Sequence, residues 1–68
     1  MEQIIQAIRY FMRRKGLTQS DIAKRIGVSE VQFSKWMNGK AVMGADKMLL
    51  IADALRVKPS ELLSVCGL

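Results

Sequence analysis

"LTQSDIAKRIGVSEVQFSKWMNGK", residues 17–40, decides the fold of this chain. Thr18 followed three residues later by Asp21 is a capping box in its aspartate variant, so a helix starts there. Ile22, Ala23 and Ile26 make its apolar stripe, and Gly27 ends it near residue 26. Ser29 with Gln32 repeats the capping pattern and starts another helix. Two short capped helices joined only by Gly27 and Val28 must cross sharply, and the glycine supplies the positive φ of the turn.

The second of these helices has two distinct sides. On a wheel of about 100° per residue, Phe33, Trp36 and Met37 cluster on one side. Val31, Lys35 and Asn38 point the other way, flanked by Gln32 and Ser34. An ordinary solvated face favours Lys, Glu, Gln and Ala; an outward valine with lysine and amides does not fit that pattern. Single exposed apolar residues are nonetheless common. The same set suits base edges: glutamine for adenine, lysine for guanine, and a methyl group for the thymine methyl.

Outward from this core, the pattern is helical throughout. A first helix spans about Glu2 to Lys15, with Ile4, Ile8 and Phe11 on one face and Ile5, Ala7 and Met12 widening it. Arg13, Arg14 and Lys15 suit the negative end of its dipole, and Gly16 is a natural C-terminal cap. After the loop "NGKAVMG", a fourth helix fits Ala45 to Leu55, with Met48, Ile51, Ala52 and Leu55 inward. Val57 plugs the core. Pro59 opens a short fifth helix, with Leu62 and Leu63 packed inward.

The chain of 68 residues is expected to form one all-α domain over residues 1–68. Its small core leaves a modest stability margin, for which a partner subunit is the natural support. Cys66 is the only cysteine, so no internal disulfide forms, which fits a reducing, cytoplasmic compartment. Histidine is absent, and a metal site from one cysteine and scattered carboxylates is not expected. No cofactor or small-molecule ligand is expected either. No run is long enough for a membrane span, and no targeting segment is visible. With 11 Lys and Arg against 6 Asp and Glu, the net charge is +5. That favours a polyanion, either nucleic acid or an anionic membrane surface, over a merely soluble basic domain only weakly.

The stretch 17–40 closely resembles the Cro/repressor-type helix-turn-helix of lambdoid phages and related bacterial regulators. The resemblance rests on Gln19 opening the second helix, Ala23 at the tight helix contact and Gly27 in the turn. Phe33 matches the buried position of the third helix, and Trp36 precedes "NG". "LLIADALRVKPSELL" is similar to the closing helices of that family, so the likeness covers roughly residues 4–64. It implies a compact five-helix, lambda-repressor-like fold, with the helix-turn-helix at about 18–38 and the third helix in the DNA major groove. Carried over by position, Ser29, Glu30, Val31, Gln32 and Lys35 stand where family members contact bases. Thr18 and Gln19 match positions beside the sugar-phosphate backbone, and Asn38, Gly39 and Lys40 match a phosphate-contacting loop. Ser34, which flanks the outward face of the third helix, is expected among the phosphate contacts.

Two departures follow. Phage relatives often carry glutamine where this chain has Glu30. Glutamate cannot make the bidentate adenine contact; it can accept from cytosine N4 or only favour the helix N-terminus through the dipole. Some relatives also have several arginines between the third and fourth helices. Here "AVMGAD" leaves Lys40 and Lys47 as the nearby cations.

The resemblance implies a Cro-like, homodimeric repressor on palindromic double-stranded DNA, acting in the bacterial cytoplasm and on the nucleoid when bound. Leu50, Val65, Cys66 and Leu68 are candidates for the dimer surface, with folding back onto the core as the plain alternative. A restriction-modification controller or an antitoxin would use the same module. A protein-interaction module that has lost DNA binding is the competing reading, supported by Glu30 and the weakly basic loop. An enzyme is not expected: there is no histidine, nucleophile motif or phosphate loop. Trp36 is expected to pack rather than stack on a base. Arg13, Arg14 and Lys15 could touch the DNA flank or form a solvated helix end. Lys24 and Arg25 are expected on a solvated face with occasional phosphate contact.

Overall fold

In the computed structural model, which describes residues 2–65, five helices follow one another: α1 (Glu2–Lys15), α2 (Gln19–Ile26), α3 (Glu30–Met37), α4 (Ala45–Ala54) and α5 (Pro59–Val65). The all-α, five-helix expectation holds, and the boundaries fall where the caps put them. At α2 the whole box forms: the Thr18 hydroxyl accepts from the Asp21 N–H at 3.2 Å and the Asp21 carboxylate accepts from the Thr18 N–H at 2.9 Å. At α3 only half of the expected box forms. The Ser29 hydroxyl accepts from the Gln32 N–H at 3.1 Å, but Gln32 makes no return bond among the described residues. Gln32 is half-buried.

The first four helices end alike. In each, a residue just past the last helical one takes a positive φ: Gly16 at 65°, Gly27 at 77°, Gly39 at 71° and Arg56 at 59°. The next N–H then bonds back across the last turn: Leu17 to the Met12 carbonyl, Val28 to Ala23, Lys40 to Lys35 and Val57 to Ala52, all at 2.8–3.0 Å. This is the Schellman arrangement, which satisfies carbonyls otherwise orphaned at a helix end. It also corrects the expected end of α4. Leu55 is the cap, and the helix proper stops at Ala54.

The core is wholly apolar; no polar or charged side chain is buried among the described residues. Ile8, Ile22, Phe33, Met43, Ile51 and Leu55 are its largest fully buried members, so every one of the first four helices contributes, and so does the loop before α4. Met43 in that loop was not foreseen as core. Val57 and Leu62 are buried as expected. Leu63, expected to pack inward, has its side chain outside the described residues.

Two arginines fasten the frame around α3. Arg9 of α1 donates to the Met37 carbonyl at the end of α3, at 3.1 Å. Arg25 of α2 donates to the Ala54 carbonyl at the end of α4, at 2.8 Å. Each places a cation on the negative end of a neighbouring helix, where the last carbonyls lack partners. Arg25 is exposed, as expected of a solvated face, but its guanidinium is engaged by this carbonyl.

Candidate nucleic-acid interface

The N-terminus of α2 and one side of α3 enclose an open cleft of ~450 Å³. Gln19 forms its α2 side. Glu30, Val31, Ser34, Lys35 and Asn38 form its α3 side, and Lys40 closes the end. The fold thus brings together three of the expected base-contacting residues and four of the expected phosphate-contacting ones. Ser29 and Gln32 are not part of the cleft: Ser29 caps α3, and Gln32 sits on its opposite flank.

The core side of α3 explains why the cleft side stays presented. Phe33, Trp36 and Met37 are all buried. The Phe33 and Trp36 rings meet edge to face, with centroids 6.4 Å apart and planes at 76°. Trp36 is therefore a packing residue, as expected, with no face left for a base. Val31, by contrast, is 67% exposed, which for a valine leaves most of its isopropyl group in water. Eight residues of helix are about 12 Å long, comparable with the width of the major groove.

Backbone donors divide into used and open groups. At the α2 N-terminus the Asp21 N–H is taken by Thr18, while those of Gln19 and Ser20 have no partner among the described residues. Open N–H groups at a helix start suit an anion. At the other end of the cleft the N–H groups of Asn38, Gly39 and Lys40 all donate to carbonyls of α3. Gly39 therefore has no free N–H to offer an anion. The Asn38 amide donates to the Ser34 hydroxyl at 3.1 Å, which sets both side chains along one wall.

Asp21 shows the local electrostatics. The Thr18 N–H above all, then the Thr18 hydroxyl, holds its carboxyl below the ordinary aspartate value, with smaller help from Arg25 and Lys24. Asp21 is thus bound to the cap.

The remaining candidates fall outside the cleft. Lys24 is exposed, and Lys47 stands 4.0 Å from Asp46. Arg14 folds over the Tyr10 ring and donates to its hydroxyl at 3.2 Å, so of the three basic residues ending α1 it is the one turned back on the protein. Leu50 is 43% exposed beside the α2–α4 junction. Val65, Cys66 and Leu68, the other dimer candidates, lie outside the described side chains. Arg9 and Arg25 escaped sequence reasoning as structural residues because their carbonyl partners are 28 and 29 positions away.

The family model of the Cro/C1-type HTH DNA-binding domain matches residues 7–65. The chain belongs to this family of DNA-binding domains, and membership points to DNA binding and transcription regulation. No curated protein and no solved structure matches it. Among the described residues no helix is long and apolar enough to cross a membrane, and no group of side chains could hold a metal ion.

Proposed function

We propose that this chain is a sequence-specific, double-stranded DNA-binding regulator, most simply a Cro-like homodimeric repressor that lays α3 in the major groove of a palindromic operator. One observation carries the reading. The cleft joins Gln19, at a helix start with open N–H groups, to a short presented face of α3 bearing Val31 and Lys35. Phosphate contacts fix position and base contacts fix sequence, and the two sets lie side by side here. Lys35 and Val31 meet base edges; Gln19, Thr18, Asn38 and Lys40 hold the backbone.

The domain is non-catalytic in this reading, works without a cofactor or small ligand, and acts in the bacterial cytoplasm. Two-fold symmetry sets two copies of α3 about 34 Å apart, one turn of DNA. Leu50 and the neighbouring exposed Leu49 support pairing through the α4 side.

Selection of bound duplexes from a random pool tests the proposal. Enrichment of a palindrome with half-sites one turn apart is the expected result. A pool that stays random, or binding insensitive to salt, would overturn it, since neutralised phosphates release counterions.

A further inference from the structure

We infer that Glu30 selects cytosine in the half-site, accepting a hydrogen bond from its exocyclic N4 amino group. This rests on the proposed DNA-reading role of the cleft and names one base that the cleft reads. Glu30 is exposed on the cleft wall beside Val31 and across from Gln19. Its carboxylate makes no hydrogen bond and no ion pair among the described residues. Lys35 lines the same cleft and yet does not pair with it.

Among the described side chains, the other carboxylates in first helical turns are engaged. Asp21 accepts from the Thr18 N–H, and Glu61 accepts from the Lys58 N–H at 3.2 Å. Asp46 stands 4.0 Å from Lys47. Asp21 and Glu61 each stand three residues after the cap and reach back to it, whereas Glu30 directly follows Ser29, which caps α3 through the Gln32 N–H, so Glu30 has no cap to serve. A carboxylate left open on a face that meets phosphates repels them, which weakens binding to every sequence alike. The group offsets that repulsion only where it finds a donor.

The major groove offers two amino donors, adenine N6 and cytosine N4. Adenine places the N7 acceptor beside N6, and an ionised carboxylate has only acceptors to set against it. Cytosine has a C–H beside N4 and no acceptor on its own edge. Guanine and thymine present acceptors to the protein and are rejected. Glutamate at this position therefore favours cytosine, where an amide of the same size would favour adenine.

The test is duplex selection by the wild-type chain and by Glu30→Gln, read position by position. Expected is a cytosine in each wild-type half-site that becomes adenine for the variant, the rest of the site unchanged. A second measurement uses the wild-type protein alone. N4-methylcytosine at the selected position loses the free N4–H in the groove, and affinity should fall about five- to tenfold. If both proteins select the same bases, and the methylated duplex binds as before, Glu30 acts only on the helix dipole and the inference fails while DNA reading stands. If neither protein enriches any duplex, the DNA reading itself fails and this inference with it.

Discussion

The Arg9 guanidinium donates to the Met37 carbonyl at 3.1 Å, tying the middle of α1 to the last residue of α3. The bond spans 28 positions and holds the presented helix from behind. Replacing Arg9 by alanine leaves that carbonyl without its cationic partner. The expected loss is about 1–2 kcal/mol, read as a lower urea midpoint at unchanged slope. Lysine at this position should recover only part of the loss, because it lacks the guanidinium fork.

Arg56 holds the left-handed conformation that glycine holds at the ends of α1, α2 and α3. A non-glycine residue there is strained by about 1 kcal/mol. Arg56→Gly should therefore raise stability by about 0.5–1 kcal/mol, whereas Gly27→Ala should lower it by about 1 kcal/mol. Denaturant midpoints for the two variants check the signs, which should be opposite.

Met43 is 1% exposed although it lies in a loop. Met43→Ala should cost about 2–5 kcal/mol, as for other large-to-small core changes. In a chain this short that lowers the thermal midpoint by at least about 10 °C. Val42, its neighbour, is 85% exposed, and Val42→Ala should leave the midpoint almost unmoved.

Lys35 and Lys40 line the same cleft but should fail differently. Lys40→Ala should weaken all duplexes about equally and reduce the salt slope by ~1. Lys35→Ala should alter base preference at one half-site position as well. Binding titrations over a salt series, on selected and scrambled duplexes, separate the two. Identical behaviour would sink the division into readers and anchors.

Asp21 predicts an acid limb. Its folded pKa is depressed, chiefly by the Thr18 N–H. The cap contribution is therefore complete above the ordinary aspartate range near pH ~4, and is lost as pH falls through the lower folded value. Asp21→Asn should be less stable than wild type at neutral pH, and the gap should close on acidification. Paired urea curves from neutral pH down to about pH 3 follow that gap.

Much of the fold was legible because its helix ends are chemical. Thr18, Ser29, Gly16 and Gly27 each mark a boundary through a bond they form or a φ they permit. Arg56 carries no such mark, since nothing in its side chain favours the left-handed region, and so α4 was expected one residue too long. Met43 was hidden because a single methionine in a loop has no periodicity; only the tertiary fold brings it into the core. The site was legible as a face but not as a cleft. A wheel finds the direction opposite the core, which is Val31 and Lys35. Which flank joins them depends on α2, whose Gln19 lines the cleft together with Glu30, while Gln32 is not part of it. That choice is made by the crossing of two helices, and no single-helix pattern contains it.

The two sides of α3 share no duties. Phe33, Trp36 and Met37 are buried and hold the helix in place, while Glu30, Val31 and Lys35 are exposed. Changes on the presented side should add independently to changes on the packed side. On the proposed reading, a lineage carrying this scaffold can move its target sequence one base at a time while its packing stays in place. Duplicated copies can part company on DNA long before their cores diverge.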